Sequence, residues 1–193
     1  APGVLALILQ HVAISIASLA LVREKVFGAI ELFRVAPITA FEILLGKYGS
    51  YIVFVGFLAL VLTAAMIWLL GVPLLGYIWW LVLSIFLLVF ASLGIGFAIS
   101  ATSGSDSQAV QASMLVLLAS MFFSGFVFPL AQILVPVRYI GYLLPVTYSI
   151  TNLQNVMLKG ILPPWTYLAA LGGMGVALFV FSWWRYRRSM ARA

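Results

Sequence analysis

Among the 193 residues there is no cysteine, which excludes disulfides, thiolate metal sites and cysteine nucleophiles. Histidine is nearly absent as well. His11 stands alone, so no pair of imidazoles is available to a metal ion and no Ser-His-Asp arrangement is suggested. Asp and Glu together number four, and none falls well inside an apolar run, so the carboxylate relay that an ion-coupled transporter normally needs is missing. A phosphate-binding loop requires G-x-x-x-x-G-K-[ST]. Here Gly46-Lys47 is followed by Tyr48 and preceded by no correctly placed glycine. The chain is therefore expected to have no ATPase site of its own, and an intramembrane enzyme is not expected. Charged residues of either sign make up only 7% of the sequence. The opening Ala1-Pro2-Gly3 lacks an initiator methionine and a preceding basic segment, and is read as a fragment or a processed chain.

What the chain has is hydrocarbon. Hydrophobic residues account for 65% of it and the mean hydropathy is +1.23, the balance of a polytopic membrane protein. Five stretches have the roughly 20 apolar residues that cross a bilayer: Val4 to Val22, Tyr48 to Leu70, Tyr77 to Ala101, Val110 to Phe128, and Ile161 to Trp184. The expected fold is an all-α membrane helix bundle, one transmembrane domain over 1–193. The net charge of +6 comes from Lys and Arg that border these runs without interleaved aromatics, which points to lipid headgroups and away from nucleic acid. Arg23, Lys25, Arg34, Lys47, Arg185, Arg187, Arg188 and Arg192 fall on one side, leaving Arg138 and Lys159 on the other. The positive-inside rule then makes the C-terminus cytoplasmic. Two ladders of small residues at four-residue spacing, Ser92/Gly96/Ser100 and Ala169/Gly173/Ala177, allow close helix approach within one chain or between subunits.

The stretch 23–47 holds seven charges: Arg23, Glu24, Lys25, Glu31, Arg34, Glu42 and Lys47. Val26, Ile30 and Phe33 recur at helical spacing, which describes an amphipathic surface helix that Pro37 ends. Thr39 and Glu42 then have capping-box spacing, so a second helix starts there. Continued to Leu70, it is about 46 Å long and projects from the bilayer. A solvated loop with positive-inside residues is the plainer alternative. Between 129 and 160 the chain is too apolar for free solution. Beyond Pro145, Val146, Ile150, Leu153 and Met157 share one face, with Thr147, Thr151, Gln154 and Asn155 on the other. This describes a helix that is either re-entrant or interfacial.

Two blocks of residues carry a family resemblance. The first is Arg23-Glu24, Gly28, Ile30-Glu31, Pro37-Ile38 and Gly46-Lys47. The second is Ser124-Gly125-Phe126-Val127-Phe128-Pro129, Pro136, Leu144-Pro145-Val146-Thr147-Tyr148 and Leu158-Lys159-Gly160. In order and spacing they resemble the type 2 family of ATP-binding-cassette exporter permeases. Val135 replaces the usual methionine before Pro136, and the additional spanning helix and extracytoplasmic segment with which a full member begins are expected to be missing.

The resemblance implies a permease subunit of a bacterial inner-membrane exporter, paired with a second permease copy or a related permease. Cytoplasmic ATPase subunits would bind the ATP and Mg, and no cofactor is expected in this chain. Arg23, Glu24, Gly28, Glu31, Arg34 and Pro37 would couple to that ATPase, although Glu31 and Arg34 also have the spacing of a structural pair. Phe128, Pro129, Pro145, Thr147 and Tyr148 would form an external lid. Gln10, His11, Met121, Phe122 and Phe123 are candidates for a substrate path, or else hydrogen-bond and pack between helices. The competing class is a membrane scaffold or receptor component that docks a cytoplasmic partner through 23–47.

Overall fold

The computed structural model describes residues 2–26, 39–127 and 135–192. Among them there is no strand, and the helices in chain order are α1 (Pro2–Val26), α2 (Ala40–Trp68), α3 (Ile78–Thr102), α4 (Asp106–Phe123), α5 (Val135–Tyr142), α6 (Pro145–Gln154) and α7 (Trp165–Arg192). Five of these, α1, α2, α3, α4 and α7, are long and apolar enough to cross a membrane. The fold class and the five spans read from the sequence are those observed. Gly28, Glu31, Arg34, Pro37, Phe128 and Pro129 lie outside the described residues, as does most of the amphipathic helix expected after Arg23.

The helix ends follow local chemistry. Thr39 caps α2 as its spacing with Glu42 predicts: the Glu42 amide donates to Thr39 Oγ1 at 3.3 Å and the Thr39 amide donates to Glu42 Oε2 at 2.8 Å. At 29 residues, α2 is about 44 Å long and exceeds the roughly 30 Å of bilayer hydrocarbon. The fourth span begins at Asp106 rather than Val110, because Ser105 Oγ accepts from the Gln108 amide at 3.3 Å. It also ends at Phe123, short of Phe128, where Ser124 and the left-handed Gly125 (φ 86°) turn the chain. The last span begins at Trp165 rather than Ile161. Pro163 and Pro164 keep the residues before them extended, so helix forms only after the pair.

α1 and α3 make the core. Just over half of each spanning window, 56%, is buried, against 17–22% for α2, α4 and α7. The contact between them is set by the first small-residue ladder. A Cβ added at Gly96 would lie 2.5 Å from Ala17 Cβ and 2.7 Å from the Ile14 carbonyl oxygen, so only glycine lets the two backbones meet. Ser92 and Ser100 are fully buried on either side of it. The second ladder behaves differently. Ala169, Gly173 and Ala177 are exposed, and a Cβ at Gly173 would meet nothing within 4 Å.

At the end of the bundle opposite Arg23 and Lys47, the α2–α3 loop is tied to a π turn that follows α6. In Asn155–Lys159 the helix widens, so that both Gly160 and Ile161 donate to the Asn155 carbonyl. The next carbonyls are thereby released: Val156 accepts from the Gly76 amide at 2.9 Å and Met157 from Leu75 at 3.1 Å. Gly160, left-handed at φ 64°, ends the turn.

Two outcomes test these contacts. Gly96→Ala destabilises the detergent-solubilised protein by about 1–3 kcal/mol through overpacking, read from its thermal unfolding midpoint, whereas Gly173→Ala has no destabilising effect. Thr39→Ala removes a helix cap of about 1 kcal/mol and speeds amide hydrogen exchange at residues 40–43 by roughly fivefold.

Candidate functional site

The charged segment enters and leaves the bundle between two ion pairs. Arg23 and Glu24 are consecutive on the last turns of α1 and so point to different neighbours. Arg23 Nε lies 3.3 Å from Asp106 Oδ2 at the start of α4. Glu24 Oε1 is in contact with Lys47 Nζ on α2, and Glu24 Oε2 accepts a hydrogen bond from the Tyr186 hydroxyl on α7 at 3.4 Å. Two residues earlier, the Leu21 and Val22 amides donate to Ser100 Oγ on α3 at 2.9 and 3.0 Å. Residues 21–24 therefore touch each of the other four spanning helices through a polar group. Around them, the Tyr48 ring stacks on Phe97 with centroids 4.8 Å apart and meets Phe179 edge-on at 4.9 Å, joining α2, α3 and α7.

A second polar centre lies toward the opposite end. Gln10 is eight positions into α1 from Pro2, about 12 Å along the axis, and is fully enclosed. Its Oε1 accepts from the Val146 amide at 2.9 Å and its Nε2 donates to Ser120 Oγ at 2.6 Å. The first turn of α6 thus sits at Gln10's depth, within the span of α1. Further along α6, Ile150 lies beside Gly3, at the very start of α1. The helix therefore starts deep and climbs outward.

Val146, Ile150 and Leu153 are buried as the pattern predicts. On the face expected to be polar, Thr147 is buried, Thr151 and Asn155 are half-buried and Gln154 is exposed, while Ser149 and Asn152 are buried as well. α6 packs against α1, α3 and α7. The predicted lid residues that are described have specific places here. Pro145 occupies the first helical position of α6, where its missing N–H costs nothing. The Thr147 and Tyr148 hydroxyls donate to the carbonyls of Gly141 and Tyr142 at the end of α5, the first of which also accepts from the Leu144 amide at 3.1 Å.

The substrate-path candidates separate. Gln10 joins α1, α4 and α6 and is enclosed between them. His11 is half-buried, with Nε2 3.5 Å from Ser15 Oγ. Phe122 is exposed on α4, in line with exposed Leu118, Leu115 and Gln111, while Met121 and Phe123 are half-buried. Between α2 and α3 an open apolar groove of about 420 Å³ has Thr63 as its one polar lining side chain. Such a surface accepts hydrocarbon and offers little to orient a polar ligand.

Sequence reasoning missed Ser100, Ser120, Asp106 and Tyr186 as members of these centres. Ser100 had been noticed only for its size. Asp106 and Tyr186 were hidden because each finds its partner across more than 80 positions of chain, a relation that no local spacing encodes.

Comparison with known proteins agrees with this architecture. Residues 1–158 match the family described as ABC-2 type transporter. "Probable multidrug ABC transporter permease YbhS" of Escherichia coli K12 is 32% identical over 166 residues, which cover 84% of this chain and 43% of that protein. "Inner membrane transport permease YhhJ" of the same organism is 31% identical over 198 residues, covering 97% and 52%. "ABC transporter G family member 20" of Dictyostelium discoideum is 29% identical over 163 residues, covering 83% and 22%. The chain spans about half the length of the bacterial relatives it matches. With more than three quarters of its residues inside one family match, and with its five spans in place, the chain belongs to the ABC-2 type transporter family.

Proposed function

We propose that the chain is part of the transmembrane permease subunit of an ATP-binding-cassette exporter. It moves substrate outward by alternating access, driven by ATP hydrolysed on separate cytoplasmic ATPase subunits that hold the nucleotide and Mg. The observation that carries this reading is the family match together with the polar ties at residues 21–24. A load applied to the segment between α1 and α2 reaches four other helices directly. Arg23, Glu24, Gly28, Glu31, Arg34 and Pro37 form the coupling segment in this reading.

A second permease copy completes the pathway, since one such half does not enclose one. The basic end, with the C-terminus, faces the cytoplasm under the positive-inside rule. The localisation is the bacterial inner membrane, the compartment printed in the name of YhhJ. Apolar or amphipathic cargo suits the exposed aromatic and aliphatic side chains of α4, Leu115, Leu118 and Phe122, and the relative YbhS carries "multidrug" in its name. The re-entrant pair α5–α6 forms the external lid. Alternating access requires nucleotide and substrate to favour different arrangements of these helices.

This chain brings no cysteine of its own, so the test uses one introduced thiol in a full-length protein from which any cysteine outside these 193 residues has been replaced. A single Arg34→Cys in the full-length protein, crosslinked in native membranes, captures an ATPase carrying a phosphate-binding loop, with a yield that differs between nucleotide-free and ATP-trapped states. A cysteine that is labelled from the cytoplasm but captures no such ATPase in either state removes the exporter reading and leaves the scaffold.

A further inference from the structure

The two ion pairs at the end of α1 are adjacent in sequence but differ sharply in surroundings. The side chains of Lys47 and Glu24 are 18% and 16% exposed, whereas those of Arg23 and Asp106 are 57% and 48% exposed. Glu24 has a second donor in Tyr186, itself buried, and among the described residues Arg23 has no comparable second partner. An exposed pair biases an equilibrium by less than about fivefold and weakens further in salt. A carboxylate held by an ammonium and a hydroxyl with little water nearby is much harder to part, because separation leaves charge in a poorly solvated place. The packing has the same polarity. α2 and α7 are joined beside the knot by Phe41, which meets Phe179 and Trp183 edge-on at 5.9 and 6.3 Å, and by Tyr48 against Phe179. α4 has the least buried spanning window of the five, 17%.

We propose that Glu24, held by Lys47 and Tyr186, is a positioning residue that makes α1, α2 and α7 move as one body at the basic end, while the exposed Arg23–Asp106 pair is a release point that lets the start of α4 swing against that body about the buried Gln10–Ser120 hydrogen bond. Glu24 and Lys47 sit on the two helices that flank residues 27–38. The pair closes the chain on either side of that segment into a loop, and a pull on the segment is shared by α1 and α2 instead of spreading them. The knot passes the same pull to α7 through Tyr186. α4, with Phe122 on its exposed face and Ser120 held by Gln10, is the helix whose basic end changes its place relative to the rest. The exporter reading supplies only what drives the motion.

The test uses the full-length protein reconstituted with its ATPase in lipid nanodiscs, with steady-state ATP hydrolysis as the readout. In the double variant Glu24→Cys/Lys47→Cys the rate falls by about tenfold, the size of coupling that contacting charged pairs show. Bridging the two thiols with a short cleavable crosslinker restores it to within about twofold of the parent, since a covalent tie replaces the electrostatic one. The variant Arg23→Cys/Asp106→Cys is read against its own open rate and behaves in the opposite sense: bridging reduces that rate by about tenfold, and cleaving the bridge recovers it. Because each pair is compared with itself before and after bridging, loss of fold does not mimic either pattern.

The proposal is overturned if bridging 24 to 47 fails to restore the rate, or if bridging 23 to 106 leaves it unchanged. A parent assembly in which the chain has no effect on the ATPase rate removes the exporter reading and this proposal with it. A responsive assembly with the wrong bridging pattern removes this proposal alone.

Discussion

The contact of α1 with α3 at Gly96 is the constraint on which the other packing depends. Lipid gives helices no hydrophobic reason to associate, so close approach has to be won by small side chains and by polar groups that find partners. At Gly96 the two backbones meet near Ala17 and Ile14. That proximity brings Ser100 within reach of the Leu21 and Val22 amides. It also fixes the direction in which α1 leaves the bundle, and with it the positions of Arg23 and Glu24. Were the two helices a methyl group further apart, the polar ties at the basic end would lengthen beyond hydrogen-bond range.

The same economy of polar groups shapes the opposite end. A helix that begins inside the membrane exposes amides with no intrahelical acceptor, and hydrocarbon offers none. At α6 these are met in two ways. Pro145 brings no N–H to its position, and Gln10 accepts from the amide of Val146. The carbonyls at the end of α5 are met by Thr147 and Tyr148. Pro145, Thr147 and Tyr148 thus have a physical reason to be what they are: they let the chain turn around against α1 without leaving these backbone groups unpaired.

Much of this was legible in the sequence. Hydropathy located five spans, and Thr39 with Glu42 placed the start of α2 to the residue. The small-residue ladder at Ser92, Gly96 and Ser100 marked a close contact, although an identical spacing at Ala169, Gly173 and Ala177 faces outward, because spacing states what a surface permits and not what meets it. Ends were less legible. α4 and α7 start where Ser105 and the Pro163-Pro164 pair dictate, several residues from where hydropathy changes. The pairing of Glu24 with Lys47 and Tyr186, and the role of Gln10 as a bridge, depend on which helices lie side by side. That arrangement is a property of the whole bundle, and each partner looks ordinary in its own stretch.

The π turn after α6 carries an evolutionary consequence. Its widened register is what frees the Val156 and Met157 carbonyls for the amides of Gly76 and Leu75. A deletion of one residue within 155–159 would return the turn to α geometry and reclaim those carbonyls for its own amides, leaving the α2–α3 loop without acceptors. The lengths of two segments some eighty positions apart are therefore linked. Related chains that shorten one should show a compensating change in the other, so that insertions and deletions at this end of the bundle come in pairs.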